Sequence, residues 1–457
     1  MELKNTFSRR DFLSSAATLG VGSTLGAGTI LSSCSSSASE AKYTPLRPDS
    51  EIYIPDLPDK AIDGRPIKAA LIGCGSRGTG AAFQFVDAGN NVSIVALADM
   101  FSDRLESCRK KLKEEKGQDI PDSACFTGFD AHKKVCDLPV DVVLIASLSC
   151  FHPEHTKYAI DKGKHVFVEK PAAIDAVGYR SFMMSARQAK TRGLNLMNGA
   201  QYHWDRPFVE SYKMIQAGYI GKIVSGFVYY NTGNEQFMNR QPGWTDTEYM
   251  LRSFFTWSQI NGDQISNMLI HWMDIFCWFS HLKPIKTSAF GSRIRRVAGN
   301  VYDNFSMDFL FEDNVRLFGM VRRMDGCDNM RGAIIYGDKG VWNSDDFSIR
   351  DLNGNLVWKY DVDAAKAKFK NHDMYTLEHV DMINHIRKGT VLDVAEINGT
   401  SAMACIMARE SAYSGKTVTW ENMITSNLNT MPPEFESGQF GKMDMKKYET
   451  IPLPGIP

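Results

Sequence analysis

The stretch from Ile67 to Asp99 limits what this chain can become more than any other. An apolar run, Ile67 to Ile72, enters the turn Gly73-Cys74-Gly75-Ser76-Arg77-Gly78; a helical segment follows, and a second apolar run, Val92 to Ala98, ends at Asp99. Strand, glycine turn, helix and strand make a βαβ unit. Gly73 allows the tight turn, Gly75 lets the backbone approach a pyrophosphate, and Gly78 lets the helix pack closely on the strand. The helix start at Ser76 and Arg77 offers free N–H groups and the positive end of a dipole. Asp99 falls about 20 residues after the last glycine, where a carboxylate accepts bonds from an adenosine ribose. Its charge repels a 2′-phosphate, so NAD is expected ahead of NADP; Arg77 and Arg104 are the residues that would serve NADP.

With 457 residues the chain has room for two or three domains. Its 52 basic and 53 acidic residues balance, so no electrostatic reason favours a nucleic-acid partner. The nine cysteines are scattered without a metal-ligand spacing. Neither a metal site nor a disulfide framework is expected.

Residues 1–34 read as an address. Ser8-Arg9-Arg10-Asp11-Phe12-Leu13 fits the twin-arginine export pattern, and Leu31-Ser32-Ser33-Cys34 resembles a lipobox. The expectation is a protein exported to the periplasm or cell envelope, anchored by a lipid on Cys34 and lacking a membrane-spanning helix. Residues 35–65 are Ser-rich and then Pro-rich, a tether followed by an extended arm.

A Rossmann dinucleotide-binding domain is expected over 66–187. After a charged helix (Arg104 to Lys116), the strand Val140 to Ala146 exits through Ser147 to His152, at the carboxyl end of a parallel strand where such sheets bind ligands. A helix, His155 to Gly163, and a strand, His165 to Val168, then lead to Glu169-Lys170-Pro171. Ser147, His152 and Glu169 are candidate cofactor contacts, and Lys170 is the first candidate catalytic group.

These motifs, with Asn198-Gly199-Ala200-Gln201, Gly262-Asp263-Gln264-Ile265 leading to His271 and Asp274, Gly299 to Phe305, and Val418-Thr419-Trp420-Glu421, resemble the Gfo/Idh/MocA family of sugar and polyol oxidoreductases. The resemblance implies a C-terminal α/β domain, here 188–457, with a large, mostly antiparallel open sheet. One face would cover the nicotinamide and the other would make subunit contacts in a homo-oligomer. Independently, Ile223 to Asn231, Thr287 to Ile294, Phe305 to Phe311, Val315 to Arg322 and Arg331 to Tyr336 read as strands. Gly337 to Gly340 reads as a hairpin turn, and helices are expected at Arg206 to Gln216, Ile265 to Phe279, Tyr375 to Arg387 and Asn398 to Ser414.

Oxidising a sugar alcohol needs a proton acceptor, a positive group beside the developing alkoxide, and a hydride acceptor within reach. The resemblance gives the charge to Lys170 and the proton to His271. Helical spacing sets Asn267, His271 and Asp274 on one face, with Asp274 able to orient the imidazole. Many family members carry a carboxylate where this chain has Asn267, so the site has lost a titratable group. Gln201, Tyr202, Trp244, Arg252 and Trp257, with Asn267 and Asp274, are candidate contacts to a carbohydrate. The leading expectation is an NAD-dependent oxidoreductase of a sugar, polyol or glycoside. The alternatives are a redox-neutral NAD-using glycosidase and a non-catalytic carbohydrate-binding lipoprotein.

Overall fold

The computed structural model describes residues 43–233, 238–392 and 394–455. The expected export and lipidation signal, with Arg9, Arg10 and Cys34, lies outside the described residues. Among the described residues no helix is long and apolar enough to cross a membrane.

Six parallel strands form the first sheet: β1 (Ile67–Ile72), β2 (Val92–Asp99), β3 (Cys125–Thr127), β4 (Val142–Ile145), β5 (His165–Glu169) and β6 (Leu196–Gly199). Their order is β3-β2-β1-β4-β5-β6. The central strands are apolar along their whole length because helices cover both faces; these include α1 (Ser76–Asp87), α2 (Ser102–Lys116), α3 (His152–Asp161) and α4 (Ala176–Thr191). The strand order reverses at β1, which opens a crevice beyond the carboxyl ends of β1 and β4. The boundary drawn at 187 falls too early. Val166 to Glu169 pair with Leu196 to Gly199, so closing the domain at 187 would cut away β6, whose four residues carry too short a pattern to be read as a strand.

The second sheet has nine strands: β7 (Ile223–Thr232), β8 (Pro284–Ser292), β9 (Asn304–Phe311), β10 (Arg316–Arg323), β11 (Met330–Gly337), β12 (Gly340–Asn343), β13 (Ser348–Asp351), β14 (Leu356–Lys359) and β15 (Val418–Thr419). Only β7 and β10 run parallel. The turn at Gly337 to Gly340 joins β11 and β12 as expected, whereas β12 to β14 and β15 extend the sheet beyond the five strands anticipated.

One face of this sheet packs on α5 (Ile270–Ser280) and α6 (Ala395–Ser414). The approach is close enough that a Cβ on Gly226 of β7 would lie 2.7 Å from the Phe276 ring. The opposite face leaves Phe290, Phe318 and Tyr336 exposed. A single apolar core runs through both halves.

Two chain ends brace this arrangement. In the N-terminal arm the Tyr53 hydroxyl donates to Asp381 at 2.6 Å, and the Ala61 N–H donates to the Ala88 carbonyl at 2.8 Å. At the other end Phe440 returns to lie 5.5 Å from the Phe101 ring and 5.2 Å from Phe129.

Candidate active site

The glycine turn is dictated by backbone contact. Gly73 has φ +95°, and a Cβ there would sit 2.4 Å from the Ala146 carbonyl oxygen. On Gly78 it would sit 1.7 Å from the Gly73 oxygen. Gly75 is different: no atom lies within 4 Å of its would-be Cβ. That open side faces a cleft of about 870 Å³ whose wall includes Ser76, Asp99, Ser147, Lys170, Gln201 and His271. Gly75 is also the N-cap of α1 and offers no side chain to the first N–H groups, which leaves them for an anion.

Asp99 holds the turn from the end of β2. Its Oδ2 accepts the Cys74 N–H at 2.6 Å and its Oδ1 the Phe101 N–H at 2.8 Å. Burial pushes this carboxyl up from its ordinary value while the two N–H donors hold it back. Open turn, uncapped helix and acid together fit a dinucleotide.

Several expected cofactor contacts line the cleft and also brace its walls. The Arg77 guanidinium donates to Glu169 at 2.5 Å and Gln84 at 2.8 Å, and lies 4.6 Å from the Tyr375 ring centre. Glu169 is thereby committed to Arg77. His152 is 1% exposed and bridges the carbonyls of Ser147, at 2.9 Å, and Pro171, at 2.8 Å, tying the exits of β4 and β5 together. The Ser147 hydroxyl reaches His155 Nδ1 at 3.0 Å.

The reacting corner lies at the exit of β5. Lys170 Nζ donates to the Asn267 carbonyl at 2.6 Å and to the Asn267 amide oxygen at 3.2 Å. The single helix expected from Ile265 begins instead as a π-turn, Ile265–Leu269, before α5. The carbonyl that accepts from Lys170 belongs to this widened turn. Burial pushes the Lys170 ammonium down to about 8, opposed by Glu169 and aided by Arg77 and Arg323. Burial, and then Lys170, hold His271 well below the usual imidazole range, so the ring is neutral at neutral pH. Gln201 Nε2 faces His271 Nδ1 at 3.3 Å.

Asp274 does not orient His271. Its Oδ2 takes a bond from His203 Nε2 at 2.6 Å, and its Oδ1 takes bonds from Asn398 at 3.1 Å and Ser401 at 3.0 Å. Three residues along a helix from His271, it faces α6 rather than the imidazole.

The substrate candidates divide. Gln201 and Asn267 line the cleft, and the Tyr202 ring lies 5.7 Å from that of His271. Trp257 is core, 1% exposed, with its indole N–H on Ser253. Arg252 is committed to Asp103 at 2.8 Å and Glu248 at 2.8 Å, and its charge lies 5.1 Å from the Trp244 ring centre. Sequence reasoning missed Phe254, Phe255 and Tyr375, which also line the cleft. Apolar pairs in irregular chain read as core, and nothing local marked Tyr375 beyond its place at a helix start. Among the described residues no cluster of His, Cys, Asp or Glu is arranged to hold a metal ion.

A six-stranded dinucleotide-binding sheet joined to a large mixed sheet, with a lysine at their junction, defines a class of two-domain α/β proteins. Two family models match: residues 67–197 fit the oxidoreductase family with an NAD-binding Rossmann fold, and residues 208–343 fit the GFO/IDH/MocA C-terminal domain. The chain belongs to the Gfo/Idh/MocA family, and its first domain is of the NAD-binding type.

Among similar proteins, "Glycosyl hydrolase family 109 protein 1" of Bacteroides thetaiotaomicron is 29% identical over 183 residues, covering 40% of this chain and 37% of that protein. The "Glycosyl hydrolase family 109 protein" of Porphyromonas gingivalis is 31% identical over 133 residues, covering 29% of this chain and 27% of its own length. The matches thus span well under half of these relatives. Myo-inositol 2-dehydrogenase from Lactobacillus plantarum shares the fold, with a TM-score of 0.58 at 22% identity over 78% of this chain and 99% of its own. Levoglucosan dehydrogenase, solved with NADH, has a TM-score of 0.60 at 17% identity over 78% of this chain and 99% of its own.

Proposed function

We propose that this chain is an NAD-dependent oxidoreductase that moves hydride between a CH–OH group of a sugar, polyol or glycoside and nicotinamide. One observation carries the reading: Lys170 and His271 line the same cleft as the open Gly75 turn. NAD, when bound, supplies the hydride acceptor.

The protein's own groups divide the proton work differently from the sequence expectation. With Gln201 Nε2 against Nδ1, neutral His271 carries its proton on Nε2 and is a donor to the substrate oxygen. Lys170, which loses its proton near pH 8, is then the acceptor for the hydroxyl proton and becomes the ammonium beside the alkoxide oxygen. Asn267 positions Nζ through its carbonyl and adds no charge that would hold the proton on Lys170.

A second reading is redox-neutral glycoside cleavage, with NAD retained and hydride returned. The glycosyl hydrolase names of the sequence relatives favour it. Non-catalytic carbohydrate binding is the weakest reading, because it leaves a buried lysine on Asn267 without a purpose. We further propose export by the twin-arginine route with lipidation at Cys34, and self-association through the open sheet face bearing Phe290 and Phe318.

Denaturing the purified protein and weighing the released nucleotide separates the readings. Stoichiometric NAD(H), with glycoside cleavage and no net NADH, selects the second; an empty protein that reduces added NAD with a carbohydrate selects the first. Absence of nucleotide binding contradicts both.

A further inference from the structure

Contacts with Lys170 use only one end of the Asn267 side chain. The backbone carbonyl and the amide oxygen of Asn267 accept from Lys170 Nζ at 2.6 Å and 3.2 Å, so the oxygen end of the amide faces the lysine. Those two bonds fix the orientation of the amide and turn Nδ2 the other way. Nδ2 has no hydrogen-bond partner among the described residues and is not sealed in the interior; Asn267 is half-buried and lines the cleft.

Lys170 has the complementary feature. A neutral amine carries two N–H groups and a lone pair. Asn267 takes both N–H groups, which leaves the lone pair as the free direction at Nζ. His271 lines the same cleft and, with Gln201 against Nδ1, presents Nε2–H. A substrate hydroxyl has one hydrogen to give and two lone pairs to be met. The lysine lone pair suits the hydrogen and His271 meets one lone pair of the oxygen. Asn267, which touches Nζ itself, has Nδ2–H left for the other. Once the proton has moved to Nζ, the oxygen is an alkoxide with three lone pairs, and it faces three N–H groups: the new one on Lys170, that of His271 and that of Asn267. A carboxylate at 267 would offer this oxygen acceptors only and repel it.

We propose that Asn267 is a catalytic residue whose Nδ2–H binds the reacting oxygen and, with Lys170 and His271, completes a three-donor site for the alkoxide. This rests on the oxidoreductase reading above and assigns the third contact of the same oxygen. In the step it serves, the O–H bond breaks and its proton passes to Lys170 Nζ, while the C–H hydrogen leaves with its electron pair for NAD and a carbonyl remains. Asn267 exchanges no atom; it holds the oxygen throughout.

The test is single-turnover reduction of bound NAD by the full-length protein, followed by nicotinamide absorbance on either side of the pH of about 8 at which Lys170 titrates, with glucose, galactose, sorbitol and methyl glucoside as probes. Asn267→Asp keeps both oxygens for Lys170 and loses the donor. Its charge also moves the titration of Lys170, whereas Glu169, Arg77 and Arg323, which Lys170 senses, and His271 beside it are unchanged. Rates are therefore compared on the plateau at high pH, where Lys170 is neutral in both proteins. If Asn267 only positioned or tuned Lys170, the Asp variant would recover the wild-type plateau. A plateau about a hundredfold lower is expected instead, with NADH affinity within a few-fold of wild type. In the NADH complex, the carbonyl carbon of the bound, isotopically labelled ketone product is expected to resonate downfield in wild type relative to Asn267→Asp. A plateau within about threefold of wild type, or an unshifted carbonyl resonance, overturns the proposal. No nicotinamide reduction by wild type with any probe would overturn the oxidoreductase reading itself, and this assignment with it.

Discussion

The phosphate turn and the reacting corner line one cleft but are specified by different kinds of contact. At the turn, backbone meets backbone: Gly73 and Gly78 have no room for a Cβ, and Gly75 has nothing but open cleft beside it. At the corner, side chains distant in sequence meet across a widened helix: Lys170 reaches Asn267, Gln201 reaches His271, and neither pair is local. In the first kind of site Gly73 and Gly78 admit no side chain without a folding cost, whereas Gly75 has room for one at the expense of whatever the cleft binds. The second can change its chemistry by single side-chain exchanges while the scaffold stands, because Lys170, Asn267, Gln201 and His271 meet through side chains.

The largest effect expected from this contrast is at the glycines. Gly78→Ala puts a carbon 1.7 Å from the Gly73 oxygen and is expected to cost more than about 4 kcal/mol or to prevent folding, as read by urea unfolding. Gly75→Val sits at φ −70° with no protein atom in the way, so its melting temperature should match wild type while NADH affinity falls about a hundredfold or more. A Gly75 variant that binds NADH normally would show that the nucleotide does not approach this turn.

At the corner, Lys170→Met should lower turnover about a thousandfold while leaving NADH affinity within a few-fold, which steady-state kinetics and fluorescence titration can separate. Next comes pH. Lys170 must be unprotonated to accept the hydroxyl proton, so turnover should rise with pH through about 8; a fall above that point would mean that the ammonium form is the working one. Asn267→Asp places a negative charge beside Nζ and should move that rise upward by about one pH unit, lowering turnover at neutral pH.

The smallest effect belongs to a residue that sequence reasoning put near the substrate. Arg252→Ala removes ion pairs to Glu248 and to Asp103, whose side chain is 62% exposed, and should cost about 1 kcal/mol or less with turnover nearly unchanged.

The same contrast decides what could be read from the chain. The Rossmann half is written locally: apolar runs, glycines and Asp99 keep their spacing, and β1 occupies the expected residues Ile67–Ile72. The mostly antiparallel character of the second sheet came from the family resemblance, while alternation marked five of its strands and Gly337 to Gly340 one of its turns. The short strands β3, β6, β12 to β14 and β15 carry too few alternations to register, whereas β4, equally short, is marked by its unbroken apolar run.

Partner choice was less legible. Spacing puts Asp274 one turn from His271 but cannot reveal that His203, from a separate segment, holds the carboxylate. Arg77 next to a phosphate turn reads as a phosphate ligand until Glu169, 92 residues away, claims it. Trp257 is chemically suited to a sugar face, yet only packing shows that it is enclosed in the core.

Rapid mixing of the NAD-loaded protein with a panel of sugars, polyols and glycosides, followed by nicotinamide absorbance, tests the account most directly. It predicts reduced nicotinamide within one turnover for wild type, persistent in a dehydrogenase or transient in a glycosidase, and none for Lys170→Met. A wild-type protein that binds a saccharide with no reduction, or a Lys170→Met protein that reduces nicotinamide at the wild-type rate, would contradict it.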